Sequence, residues 1–66
     1  MPMTPEQVRS HRQALGMTQA DLAAVLRMGS EGRRTVRRWE SGQQSITGPA
    51  SVALELMVEK WYGVAA

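Results

Sequence analysis

Sixty-six residues leave room for one fold around one small core, and the absence of cysteine removes the disulfide staples on which many domains of this size rely. No apolar stretch exceeds a few residues, and the opening Met-Pro-Met-Thr-Pro has neither a basic nor an apolar leader region, so neither a membrane span nor an export signal is expected and the cytoplasm is the default location. The net charge is only +2, yet residues 27 to 38 carry five arginines against one glutamate, a local balance of +4, while the rest of the chain sums to −2.

Apolar residues recur at spacings of three and four, and no stretch alternates as a strand would, so the fold is expected to be all-α with about four helices. Thr4-Pro5-Glu6-Gln7 reads as an N-cap, a proline at the first helical position and a capping-box glutamine, which starts a first helix from about Pro5 to Leu15, ended by Gly16. Thr18 caps a second helix from about Gln19 to Arg27. Gly29-Ser30-Glu31-Gly32 is a turn by composition, without the lysine-serine or lysine-threonine ending of a phosphate-binding loop. A third helix runs from about Arg33 to Ser41 and stops at Gly42, a polar loop covers Gln43 to Gly48, and Pro49 starts a fourth that holds to Tyr62 before Gly63. Residues 1–66 are therefore expected to form a single domain, and no internal repeat or linker is visible in them.

The third helix carries the functional signal. At 100° per residue, with Arg33 at zero, Arg37 falls at about 40°, Arg34 at about 100° and Arg38 at about 140°. Val36 and Trp39, at about 300° and 240°, occupy the other side, so two apolar anchors hold a helix that presents a cationic stripe outward. Charge runs are usually solvated surface. Here, however, four arginines repel one another with only Glu40 on the same helix to compensate, and arginine rather than lysine throughout favours bidentate recognition. The stripe suits the major groove of double-stranded DNA, where a guanidinium donates to guanine O6 and N7 and the flanking phosphates attract the remaining charge.

Other chemistry is thinly represented. His11 is the one histidine and has no second metal-ligand type clustered with it, and Glu55 and Glu59, one helical turn apart, read as ordinary surface. No catalytic residue, metal, cofactor or small-molecule ligand is expected.

Three segments together resemble the phage repressor and Cro-like (XRE-like) helix-turn-helix family: Arg12-Gln13-Ala14-Leu15-Gly16, Met17-Thr18-Gln19-Ala20-Asp21-Leu22-Ala23, and Arg34-Thr35-Val36-Arg37-Arg38-Trp39-Glu40-Ser41-Gly42. The resemblance spans roughly Val8 to Pro49. It implies a small lambda-repressor-like helical bundle and a sequence-specific, DNA-binding transcriptional regulator, a repressor above all. It also implies roles: Ala23 where the two motif helices approach, Val36 and Trp39 burying the second of them, and Gln19 on a DNA phosphate, against which stands a plain surface glutamine. Arg33, Arg34 and Arg38 would read bases, while Arg37, Thr35, Gln43, Gln44 and Ser45 would hold phosphates. Arg12 projects towards the apolar side of its helix with Val8 and Leu15, and the family pairs this position with that of Glu40 in an internal ion pair; a solvated Arg12 is the alternative. Arg27 stands where the family usually has a turn glycine, with about three extra residues across 28–32, which implies a longer turn in which Gly29 or Gly32 adopts the positive φ.

In the fourth helix, about 49–62, Ala50, Ala53, Leu54, Met57 and Trp61 share a core-facing stripe. Val52 and Leu56 lie outside it beside Glu59, an apolar patch rimmed by charge as in a subunit contact, so this helix is the candidate dimerisation element of a homodimer on a palindromic site. The competing function is an antitoxin-like or adaptor module whose main partner is another protein and whose DNA binding is secondary.

Overall fold

The computed structural model describes the backbone of residues 3–65 and the side chains of residues 3–60. Four helices follow in order: α1 (Pro5–Ala14), α2 (Gln19–Val25), α3 (Gly32–Ser41) and α4 (Gly48–Ala65). No strand occurs among the described residues. α2 packs on α3, and α1 packs on both α3 and α4. No helix of the described residues is long and apolar enough to cross a membrane.

Local chemistry starts the first two helices. The Thr4 hydroxyl accepts from Gln7 N–H at 3.2 Å while Thr4 N–H donates to Gln7 Oε1 at 2.9 Å, and Thr18 and Asp21 repeat this reciprocal box at 3.0 and 3.1 Å. α1 ends one residue before Leu15, which forms its C-cap. α2 ends at Val25, two residues short of the expected Arg27, and α3 begins one residue earlier than expected, at Gly32. α4 begins at Gly48 because the Thr47 hydroxyl accepts from Ala50 N–H at 3.3 Å, and it continues through Gly63 to Ala65. An interior glycine costs a helix only about 1 kcal/mol relative to alanine, which weakens a helix without ending it.

Each helix contributes to one core: Val8 from α1, Leu22 and Ala23 from α2, Val36 and Trp39 from α3, and Leu54 from α4. Ile46 joins them from the loop that composition marks as polar, and Met3 from the segment before α1. Leu15, Met17, Leu26, Met28, Ala50 and Met57 pack around this centre. Ser51 is buried as well, off the expected stripe of Ala50, Ala53, Leu54, Met57 and Trp61, and the side chain of Trp61 lies outside the described residues.

The connection between α2 and α3 meets expectation at Gly29 and departs from it at Arg27. Gly29 takes a positive φ of 81°, but so does Arg27 itself, at 56°. Gly32 has a different role as the first residue of α3. A Cβ built on it would stand 2.7 Å from Met28 Cβ and 2.8 Å from Ala23 Cβ, so α3 starts where only a hydrogen atom fits against α2. Arg27 holds a conformation that costs a non-glycine residue about 1–2 kcal/mol, because the crossing of the two helices and the Met28 N–H to Ala23 carbonyl bond fix the chain on either side.

Candidate nucleic-acid interface

α3 is divided lengthwise into two chemistries. Val36 is fully buried, Trp39 and Glu40 nearly so, and Arg33, Arg34, Arg37 and Arg38 are all exposed. The arginines border three adjoining shallow depressions: Arg34, Arg37, Arg38, Ser41 and Gln43 around one, Arg33, Arg34, Arg37, Ser30 and Glu31 around the next, and Arg33, Arg37, Thr18, Gln19 and Ala20 around the third. Within this face the one acidic contact is Glu31 to Arg34 at 3.8 Å, between two exposed side chains, a pairing worth well under about 1 kcal/mol. Because Arg33, Arg34 and Arg37 each border more than one of these depressions, the cationic surface runs from the end of α3 to the start of α2.

The other expected contacts divide. Gln43 lies with the arginines, whereas Gln44 turns to the opposite side, where it borders an apolar depression with Leu26, Met28, Trp39 and Pro49. Thr35 borders that same depression, and its hydroxyl donates to the Glu31 carbonyl at 3.2 Å. Ser45 is exposed in the loop after α3. Val52 and Leu56 are 53% and 57% exposed on α4, one turn apart, so the apolar patch they make is uncovered in the single chain.

Beneath the cationic face, Glu40 turns inward and meets Arg12. Arg12 Nε donates to Oε2 at 2.6 Å and Nη2 to Oε1 at 3.0 Å, a bidentate pair, and Nη1 donates to the Met17 carbonyl at 2.9 Å. Gln19 Nε2 adds a bond to Oε1 at 3.3 Å, and Arg9 Nε stands 3.6 Å from the same oxygen. Burial pushes the Glu40 carboxyl up, but the hydrogen bonds from Arg12 and Gln19 and the charges of Arg12 and Arg9 outweigh it and hold the group below the usual carboxylate range. Donating to the Glu40 carboxylate in turn holds the Arg12 guanidinium above its ordinary value. This network ties α1, the start of α2 and α3 together at one carboxylate, so the arginine-bearing helix is positioned relative to Gln19 by charge-assisted bonds as well as by apolar contact.

Sequence reasoning misses two members. The bond from Gln19 to Glu40 has no local signal, because 21 residues separate the partners. Arg9 precedes Arg12 by three residues, a spacing that places both on neighbouring parts of α1, and that signal was available. His11 is bound to its own helix, Nδ1–H donating to the Gln7 carbonyl at 2.7 Å, and no cluster of metal-ligating side chains occurs among the described residues.

Shape, charge and anchoring fit a rod that inserts one face into a polyanion. A family model described as helix-turn-helix matches residues 8–56. No curated protein and no solved structure matches the chain significantly.

Proposed function

The chain belongs to the XRE/Cro-like helix-turn-helix family of DNA-binding regulatory domains, and from that premise we propose that it is a sequence-specific repressor that seats α3 in the major groove of a palindromic operator as a homodimer. The observation that carries this reading is the lengthwise division of α3, four exposed arginines on one side and Val36, Trp39 and Glu40 buried on the other. A helix so anchored presents its guanidinium groups without losing its own seat. Arg33, Arg34 and Arg38 read base edges, with guanine preferred, while Arg37, Gln43 and Gln19 hold the phosphates on either side. Gln19 borders the same depression as Arg33 and Arg37, which supports that assignment. Thr35 and Gln44 contribute to phosphate contact less than Gln43, since both border the apolar depression, while Ser45, exposed in the loop, holds a phosphate as well. The cytoplasm is the place of action, and no cofactor enters the reading.

The exposed Val52 and Leu56 support self-association. One helix reads only a few base pairs. Two copies related by a two-fold axis double the site, with half-sites about 34–36 Å apart on one face of the duplex.

The decisive experiment titrates the purified chain with DNA from around its own gene, across a range of salt and against random competitor. Counterion release makes the logarithm of affinity fall linearly and steeply with the logarithm of salt, and specific binding survives the competitor. A flat salt response, or equal affinity for every sequence, overturns the reading and favours the protein-interaction module.

A further inference from the structure

We propose that Arg9 of α1, outside the helix-turn-helix motif, is a further phosphate contact that carries the cationic face of α3 past the start of α2 and onto α1. The proposal rests on the DNA-binding reading and adds a residue to it.

Position is the first argument. Arg9 Nε lies 3.6 Å from Glu40 Oε1, and Gln19 Nε2 lies 3.3 Å from that same oxygen. The guanidinium and the amide are therefore separated by no more than the sum of those two distances. Gln19 in turn borders a depression with Arg33 and Arg37. Arg9 thus adjoins the arginine face through a single intervening side chain, although it comes from a different helix.

Charge is the second argument. Glu40 has one negative charge, and both of its oxygens already accept from Arg12 at 2.6 and 3.0 Å. The Arg12 side chain is 14% exposed and has a third bond to the Met17 carbonyl, so it cannot turn outward. Arg9 is 57% exposed on its side chain and makes only the longer 3.6 Å approach. In the group of Arg9, Arg12 and Glu40 one positive charge is left over, and it resides on the exposed member. A half-exposed ion pair to a carboxylate already satisfied gains little, whereas a phosphate beside Gln19 would take that guanidinium as its direct partner.

The competing role for Arg9 is support of Glu40, and the two roles separate in solution. A phosphate contact is independent of sequence, so the probe is a random-sequence DNA duplex, titrated from 50 to 200 mM salt with the full chain and with Arg9→Gln, at a temperature where both are fully folded. Loss of one phosphate contact lowers the slope of log affinity against log salt by about 0.9, so the affinity advantage of wild type over the variant shrinks by about 3.5-fold across that range. Arg9→Lys, which keeps the charge, is expected to restore the slope. Equal slopes for wild type and Arg9→Gln, with wild type itself steep, overturn the proposal, and a lowered melting temperature at equal slope assigns Arg9 to Glu40 instead. A wild type that shows no salt dependence fails earlier, at the DNA-binding reading itself.

Discussion

Replacing Glu40 by glutamine keeps the shape of the side chain and removes its charge, which isolates the contribution of the internal ion pair. The Glu40 side chain is 3% exposed, and two of the Arg12 donors end on it. Glutamine offers one acceptor oxygen in place of two and turns an NH2 towards the guanidinium. Arg12, only 14% exposed, is then left with that oxygen and the Met17 carbonyl, while the Arg9 charge nearby repels it. Breaking a buried pair from one side costs about 3–5 kcal/mol. At roughly 0.05–0.15 kcal/mol per residue the whole fold is worth about 3–10 kcal/mol, so the variant loses most of its stability. Each kcal/mol corresponds to about 4–8 °C in a domain this small, which places the fall in Tm at about 12 °C or more, read as helix loss by circular dichroism at neutral pH. Removing both charges, as in Arg12→Met with Glu40→Leu, is expected to recover much of that loss. The wild-type acid profile tests the same pair. Because the folded carboxyl sits below the ordinary glutamate value of about 4.3, its stabilisation is complete above that pH and is lost as pH falls through the depressed folded value. Glu40→Gln removes that component of the profile. A Glu40→Gln variant that melts within two degrees of wild type refutes the reasoning, since a largely buried guanidinium left without its carboxylate cannot be that cheap.

Arg27→Gly relieves a left-handed backbone at φ 56° while loosening the unfolded chain, and the net expectation is a gain of about 0.5–1 kcal/mol in urea unfolding; a loss would mean the turn is not strained there. Gly32→Ala places a methyl group under 3 Å from Met28 Cβ and Ala23 Cβ, and overpacking of this kind costs about 1–3 kcal/mol. An unchanged Tm for that variant would show that α2 and α3 can part without cost. Alanine at Arg33, Arg34 or Arg38 is expected to cost about 1–3 kcal/mol of operator affinity and to relax selectivity at one base pair each, measured by binding to a panel of single-base operator variants. Retained selectivity in these variants would remove the base-reading assignment. Leu56→Glu is expected to weaken operator binding and to shift light scattering from two chains to one without lowering monomer helicity, and a wild-type chain that stays monomeric on DNA would set the dimer aside.

Periodicity and capping chemistry made the four helices legible, because Thr4 and Thr18 act within three residues of themselves and a local signal suffices. Helix ends were harder. Thr47 rather than Pro49 sets the start of α4, and nothing in the composition of the loop distinguishes Ile46, whose burial depends on the helices it happens to lie beneath. The turn meets expectation at Gly29, which takes the positive φ, and departs from it at Arg27, which takes one too, for a similar reason. Backbone preference assigns positive φ to glycine, but tertiary contact on both sides of Arg27 decides its conformation, and the close approach of Gly32 to Ala23 leaves that glycine a packing role. At the site, the sidedness of α3 followed from 100° spacing alone. The separation of Gln43 from Gln44 did not, because it arises where the helix has already ended and no period applies.

The arrangement of charge on α3 links folding to binding. A ten-residue helix with four arginines and one glutamate would ordinarily place that glutamate among the arginines, where it would lower their mutual repulsion and their attraction for an anion alike. Here Glu40 is turned into the protein and matched by Arg12, a cation from another helix. Folding therefore withdraws the acidic residue from the exposed side of α3 and leaves its arginines with only the weak Glu31 contact. The repulsion that remains is a cost to the free chain which a phosphate backbone would relieve. The internal pair thus has two consequences from one geometry: it fixes the seat of the helix, and it keeps the outward charge unneutralised until an external anion arrives. On this argument, returning a carboxylate to the outer face, for instance by Ser41→Glu beside Arg34, Arg37 and Arg38, should weaken DNA binding and flatten its salt dependence, and a variant that kept wild-type affinity and salt slope would show that the outward charge of α3 is not what the DNA meets.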